Sequence, residues 1–270
     1  MFVPVGNASP TFKDSILIMP AVSVGNVGQL AVDLLISSLN MPCVGYIHTD
    51  CLIPMVGNDP YATSEESSSE LCTNAEVYFL PEKKLAVLQI RSPTVKSKTR
   101  QFRHLILSWI KSNRFSQSIL LSSSHAYQCD DRQLSGSPLR YLQTLEMKNI
   151  IGDKLQKLDL NELETTPAFP GIRETEQQLW IPGGGITKRF FTECSSEHIP
   201  LAVLLIFCSE GDNIPEAFTL MNFLNQWLHL VETTGLCKLG KPVDWHIMAV
   251  EEETKAPALK DKASVSELQF

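Results

Sequence analysis

Alternation of short apolar runs with stretches of helical period is the feature that most constrains this chain. Apolar runs of strand length occur at Ser15–Met19, Cys43–Thr49, Ser118–Ser123 and Leu201–Phe207. The first of them is followed by a predicted helix from about Val27 to Leu39. Because strands that are apolar throughout are buried on both faces, and helices separate them, we predict an α/β domain with a largely parallel sheet flanked by helices.

Two further segments have clear periodicity. A helix is predicted from roughly Lys98 to Lys111, and its apolar residues recur at i, i+3, i+4, i+7 and i+8. These residues are Phe102, Leu105, Ile106, Trp109 and Ile110. The runs "EVYFL" and "LAVLQI" are separated by Pro81–Lys84, which predicts a hairpin.

Length, charge and cysteine content exclude several classes of protein. The 270 residues are 43% apolar and carry a net charge of -7, which argues against a nucleic-acid binder. No apolar run reaches membrane-spanning length, and no secretory signal is recognisable. The seven cysteines are scattered, as expected for reduced thiols in the cytoplasm or nucleus. We predict one α/β domain over residues 1–235 and a partly disordered C-terminal extension over 236–270.

The segment Ile181–Lys188, "IPGGGITK", has the residue types of a phosphate-binding loop. A Walker loop needs lysine directly after the last glycine and a hydroxyl residue after the lysine. Here two residues separate Gly185 from Lys188, and Arg189 occupies the hydroxyl position. We therefore interpret the glycines as backbone architecture, with Thr187 starting a helix. Binding of an anion at that helix start is the alternative.

Two other motifs resemble parts of enzyme sites. Ser23–Gly28 lies where a dinucleotide-binding fold has its glycine-rich turn, and Asp50 lies near the position of a ribose-binding acid. Ser23 replaces the first glycine, so a closely packed strand-to-helix connection is the alternative. Ser122–Tyr127 has serines and a histidine but no glycines for a nucleophile elbow, so its hydroxyls can instead satisfy backbone groups at a strand end.

A third motif, His48–Cys51, places a cysteine beside a histidine and an acid, and we interpret it as a turn at a strand end. The six histidines show no spacing that would suit a metal ion. No complete catalytic set can be assembled from these motifs. We therefore predict no catalytic residue, no cofactor and no metal.

Four longer segments occur in order along the chain: Met19–Asn40, Asp50–Thr63, Ile181–Lys188 and Ser209–Ala217. Together they resemble the eukaryotic proteasome assembly chaperone family over roughly residues 15–230. The resemblance implies a non-enzymatic chaperone with a fold similar to nucleoside phosphorylases and hydrolases but without their catalytic residues. An α/β hydrolase or phosphorylase acting on a small nucleoside-like ligand is the alternative.

The same resemblance implies particular partners. It implies a heterodimer with proteasome assembly chaperone 1 that binds proteasome α subunits, promotes formation of the seven-membered α ring and hinders off-pathway dimerisation of α rings. Chaperones of this type can dock through a C-terminal hydrophobic-tyrosine-any residue tripeptide. This chain ends Leu268-Gln269-Phe270, with glutamine at the tyrosine position. Leu268 and Phe270 are therefore candidate docking residues, and an inert end is the alternative.

The helix after Asp212 is the candidate surface for the partner chaperone. Asn213 and Glu216 form a variant of the capping box, so the helix is predicted to begin at Ile214. One apolar stripe is expected to face the core: Ile214, Ala217, Phe218, Met221, Leu224 and Leu228. A second stripe contains Leu220, Phe223, Trp227 and Leu230. We predict that Phe223, Trp227 and Leu230 contact the partner; the alternative cover is the chain's own C-terminal segment, through Trp245.

Overall fold

The computed structural model describes residues 1–6, 10–62, 68–129, 137–158, 160–167 and 177–231. The predictions for Trp245, for Leu268 and Phe270, and for the extension 236–270 lie outside these residues. The described strands are β1 Phe2–Pro4, β2 Ile16–Pro20, β3 Cys43–Ile47, β4 Val56–Asn58, β5 Leu71–Thr73, β6 Ala75–Leu80, β7 Leu85–Ile90, β8 Gln117–His125, β9 Leu139–Gln143, β10 Asn161–Glu162, β11 Thr165–Pro167, β12 Gln177–Leu179 and β13 Leu201–Cys208. The described helices are α1 Val27–Ser38, α2 Thr99–Asn113, α3 Leu145–Ile151, α4 Lys154–Lys157, α5 Thr187–Ser196 and α6 Ile214–Leu228.

Nine of these strands form one sheet in the order β1-β3-β6-β7-β2-β8-β13-β9-β10. The four central strands, β7, β2, β8 and β13, are parallel to one another. Antiparallel pairs flank them, with β6 against β7 on one side and β9 against β13 on the other. The predicted α/β fold is confirmed, and the parallel order predicted for the sheet holds in its centre. The predicted hairpin is also present, as β6 and β7.

Both faces of the sheet are covered by helices. On one face, α2 and α5 pack on a continuous apolar cluster that includes Phe102, Ile106 and Phe190. Ile90 belongs to this cluster, whereas the next residue back, Gln89, points to the other face and donates a hydrogen bond of 3.0 Å to the Gln29 carbonyl of α1. Alternation along β7 thus places α1 opposite α2 and α5. None of the described helices is long and apolar enough to cross a membrane.

Helix α1 is enclosed on nearly all sides. It contacts β2, β7 and β8 of the sheet, and α6 packs against both α1 and β13. Its buried residues therefore fall all round the helix: Val27, Gly28, Ala31, Val32, Asp33, Leu34, Leu35 and Ile36. A helix that is apolar all round is typical of such an interior position.

Helix α6 begins at Ile214, as predicted, but the predicted capping box is wrong. The Asn213 side chain makes no capping bond; its Nδ2 instead donates to the Gly211 carbonyl at 2.9 Å. The Oδ1 atom of Asp212 accepts the Ile214 N–H at 3.1 Å, one residue earlier than expected. The reason is that the buried Asn213 side chain packs against Gly25, in the loop before α1.

Candidate functional site

Three of the motifs singled out in the sequence meet at the carboxyl ends of β2 and β8. The Val24 N–H donates to the Gly183 carbonyl at 2.9 Å, which joins the loop after β2 to the glycine loop. The His125 N–H, at the end of β8, donates to the Pro182 carbonyl at 3.1 Å. In open α/β sheets, ligands usually bind at this edge.

Hydroxyl groups fill the junction between these segments. The Ser23 and Ser123 Oγ atoms are 2.7 Å apart, and so are Ser122 Oγ and Thr187 Oγ1. Ser124 Oγ donates to the Pro182 carbonyl at 2.9 Å. We call Ser23, Ser122, Ser123, Ser124 and Thr187 the polar seam; all five are buried. Since these hydroxyls bond to one another and to backbone carbonyls, the interpretation of the serines as groups that satisfy a strand end is confirmed.

The glycine loop is held against the seam by close backbone contacts. Gly183 and Gly185 have φ values of +75° and +59°, which a residue with a side chain rarely adopts. A Cβ at Gly185 would collide with the Val22 carbonyl oxygen, and one at Gly183 would lie 2.8 Å from Cδ2 of His125. These contacts account for both glycines without a ligand. Helix α5 begins at Thr187, as predicted.

The loop between β2 and α1 is also a packing device. Gly25 has a φ of +67°, and its neighbour Asn26 is left-handed as well. A Cβ at Gly28 would collide with the Leu121 carbonyl oxygen, so α1 approaches β8 at the distance of backbone contact. This is the close strand-to-helix connection named above as the alternative to dinucleotide binding. Asp50 does not join the seam; its exposed carboxylate pairs with Lys98 Nζ.

Two ionisable groups at the end of the central strands are His125 and Cys208. The His125 ring packs 4.9 Å from that of exposed Tyr127, and its buried Nδ1 atom has no hydrogen-bond partner in the described part of the chain. Cys208 lies beside His125 in the sheet, and its Sγ donates to the Val24 carbonyl at 3.6 Å. Burial raises the pKa of this thiol, which keeps it protonated and unreactive at neutral pH.

The motif His48–Cys51 is a turn, as predicted. The Cys51 N–H donates to Thr49 Oγ1 at 3.1 Å, and the Cys51 side chain is buried while His48 is exposed. The chemistry of a nucleophile with its base is therefore not assembled here.

A buried ionic network on the α1 face was not predicted from the sequence. Arg91 Nη2 donates to Asp33 Oδ1 at 2.8 Å and Arg91 Nη1 to Asp33 Oδ2 at 3.0 Å, so the pair is bidentate. The Tyr61 hydroxyl donates to Asp33 Oδ1 at 2.7 Å, and Glu76 Oε2 lies 3.8 Å from Arg91 Nε. Burial raises the pKa of Tyr61, and the charge of Asp33 adds to the shift. Asp33 on an apolar helix was the available signal, because a buried carboxylate requires a partner.

The structure places the predicted partner-contact residues on and just after α6. Trp227 and Leu230 are buried within the chain, with 9% and 8% of their surfaces exposed. Phe223 is half-buried. Of the predicted core stripe, Ala217, Met221 and Leu224 are buried, and Leu220 from the second stripe is buried with them. The buried face is therefore rotated towards the second stripe, because α6 packs on α1 as well as on β13.

Comparison with known proteins decides the family. The family model described as "PAC2 family" matches residues 17–234, which is most of the chain and includes all three seam motifs. The chain belongs to the PAC2 family. Its curated relatives include proteasome assembly chaperone 2 of Danio rerio, which is 56% identical over 250 residues that cover 92% of this chain and 96% of the relative. The human protein of the same name is 48% identical over 254 residues, covering 92% and 96% of the two chains.

Two solved archaeal structures have the same fold. PbaA of Pyrococcus furiosus, described as an archaeal homologue of proteasome-assembly chaperone, superposes with a TM-score of 0.64 at 17% identity and covers 94% of this chain and 97% of its own. PbaB of the same organism, described as an archaeal proteasome activator, gives a TM-score of 0.59 at 17% identity over 93% and 98% of the two chains. At this level of identity the match concerns the fold alone.

Proposed function

We propose that this protein is a chaperone of 20S proteasome assembly that acts as a heterodimer with proteasome assembly chaperone 1. In this proposal the heterodimer binds proteasome α subunits, promotes formation of the α ring and prevents off-pathway dimerisation of α rings. We further propose that it works in the cytoplasm and nucleus, which agrees with the scattered spacing of its seven cysteines. The chain is a member of a chaperone family and not an enzyme.

The observation that carries the proposal is the near full-length match to proteasome assembly chaperone 2 of Danio rerio, at 56% identity. The polar seam agrees with it. At the edge of the sheet where an enzyme of this fold class would bind its ligand, this chain packs its own serines and glycines against each other.

The partner surface in this proposal includes the half-buried Phe223 on α6. Aromatic side chains commonly act as anchors at the centre of protein interfaces. Trp227 lies on the same stripe of α6, and Leu230 lies just after the helix. Both are buried in the single chain, so their part in pairing would be to support Phe223.

Co-expression tests the proposal. We would express the chain with tagged proteasome assembly chaperone 1 and the seven α subunits, purify through the tag and analyse the complexes by native mass spectrometry. A one-to-one heterodimer bound to α subunits, with fewer ring dimers than in its absence, is expected. Recovery of the tagged chaperone without this chain, or an unchanged number of ring dimers, would refute the role.

Single substitutions then test the surface. Phe223→Ala is expected to weaken pairing by on the order of 2 kcal/mol with little change in melting temperature. Phe191→Ala is the matched control, because Phe191 is also partly buried but lies on α5, on the opposite face of the sheet. A chain that lacks Gln269 and Phe270 should pair normally but bind α rings more weakly, and equal ring binding would show that the C-terminus does not dock.

A further inference from the structure

A cleft of about 260 Å³ opens beside the polar seam, at the carboxyl ends of β2 and β7. Its walls are mainly apolar and come from the loop after β2, the end of β7, the first turns of α2 and the glycine loop. The lining includes Val22, Ile90, Phe102 and Ile186, together with Thr94 and Thr99, whose hydroxyls bond to each other at 3.0 Å.

The size of the cleft favours a side chain over a cofactor. Pockets for small molecules typically enclose roughly 300–1,000 Å³ and cover most of the ligand. This cleft is smaller, and it is bounded by residues already packed on the core, such as Phe102, which is 1% exposed. It therefore suits one bulky apolar side chain that is presented by an extended peptide.

The two segments that contribute to the cleft are rich in basic residues, which we call its basic rim. The segments 93–103 and 183–193 contribute to its lining, and they carry six of them: Lys96, Lys98, Arg100, Arg103, Lys188 and Arg189. Two are neutralised, since Lys98 pairs with Asp50 and Arg103 with Glu193. The other four have no ion pair to a carboxylate in the described part of the chain, and Lys96, Arg100 and Arg189 are exposed.

This surplus of positive charge stands out because the whole chain has a net charge of -7. A local field of opposite sign to the rest of the surface selects partners by charge and speeds their association. Nucleic acid would use exposed aromatic faces for stacking, but the aromatic residue in this cleft, Phe102, is buried.

We propose that the cleft and its basic rim bind an extended acidic segment of a partner protein, which inserts one apolar side chain between Val22, Phe102 and Ile186 while its carboxylates contact the rim. The inference goes beyond the proposed function, because it concerns the chemistry of the bound segment. It stands or falls independently of whether the partner is a proteasome subunit.

The test measures binding of a fluorescein-labelled peptide, Asp-Glu-Phe-Glu-Asp, to the full-length chain by fluorescence anisotropy. Peptides with glycine in place of phenylalanine, and with lysine in place of the acids, serve as comparisons. We expect saturable binding of the first peptide, weaker binding of the glycine peptide and none of the lysine peptide. In addition, Lys188→Glu with Arg189→Glu should weaken binding by roughly tenfold or more, since rim charges contribute through complementarity.

Two further variants separate the contributions. Lys13→Glu with Lys83→Glu is the matched control, because both lysines are exposed and lie at the amino ends of the strands, away from the cleft. This variant should bind normally. Val22→Phe fills the cleft and should reduce binding of the phenylalanine peptide to that of the glycine peptide. If Val22→Phe fails to fold, as judged by its melting temperature, the affinities of the two peptides for the unmodified chain still show whether the phenylalanine side chain contributes to binding.

Several results would overturn the proposal. One is the absence of saturable binding of the phenylalanine peptide. Another is an equal loss of peptide affinity in the two double variants. The third is equal affinity for the phenylalanine and glycine peptides. Tighter binding of a uridine oligonucleotide through Lys188 and Arg189 would make the rim a nucleic-acid site instead. Tighter binding of a peptide that copies Glu251–Leu259 would identify the chain itself, rather than a partner, as the occupant.

Discussion

Replacement of Gly185 by alanine tests whether the glycine loop is architecture. The left-handed φ of +59° costs a residue with a side chain about 1 kcal/mol. The new Cβ would also press on the Val22 carbonyl oxygen, which belongs to the backbone and cannot rotate away. Overpacking of this kind adds about 2 kcal/mol. We therefore expect Gly185→Ala to reduce the free energy of unfolding by about 3 kcal/mol.

Urea denaturation, followed by circular dichroism, gives this difference from the shift in midpoint at constant slope. Gly6→Ala is the matched control: Gly6 also has a positive φ, +73°, but a Cβ there would meet nothing within 4 Å. The control should lose only about 1 kcal/mol, the cost of the backbone conformation. Equal losses in the two variants would show that the contact with Val22 is not tight. If Gly185→Ala left the free energy of unfolding unchanged, Gly185 would not be required for backbone packing. Binding of a ligand at the glycine loop would then be the better explanation of this residue.

Three other predictions concern charges and ligands. Asp33→Ala leaves the largely covered Arg91 side chain, 12% exposed, without its bidentate partner and should cost about 3–5 kcal/mol of unfolding free energy in urea denaturation. A loss below about 1 kcal/mol would show that water replaces the carboxylate. The hydrogen bond and charge of Arg103 lower the pKa of Glu193 in the folded chain, so the pair stabilises the fold above the unfolded pKa of about 4.3. This stabilisation is lost as the pH falls through the folded pKa. Arg103→Met should therefore flatten the acid side of the profile of unfolding free energy against pH, and an unchanged profile would contradict this. Calorimetry should detect no binding of ATP, GTP or NAD, and a micromolar site abolished by Gly184→Ala would contradict the packing role of the loop.

The elements with strong periodicity were predictable from the sequence. The helix predicted over Lys98–Lys111 is α2, Thr99–Asn113, and the helix predicted over Val27–Leu39 is α1, Val27–Ser38. Amphipathic or wholly apolar runs of this length depend on local spacing, which a single sequence displays. Strand β1 was missed, because three residues at a sheet edge leave no pattern to read.

Contacts between distant segments were not predictable. The seam hydroxyls Ser23 and Ser123 lie 100 positions apart, and each motif taken alone had the appearance of an incomplete enzyme site. The predicted capping box at Asn213 is absent for the same reason, because the Asn213 side chain packs against Gly25 instead of capping the helix. Local rules describe the contacts that a residue can make with its neighbours in sequence. They fail where a residue that is distant in sequence but close in space makes a more favourable contact.

The position of β13 in the sheet has a consequence for synthesis on the ribosome. This strand lies between β8 and β9, although both of them precede it in the chain. Roughly 60 residues separate the end of β9 at Gln143 from the start of β13 at Leu201, which at about 5–20 residues per second is a delay of about 3–12 s. During that interval the edge of β8 that will receive β13 is unpaired, and β9 lacks the partner that joins it to the rest of the sheet. Completion of the sheet therefore depends on one late strand, β13, whose residues are all apolar.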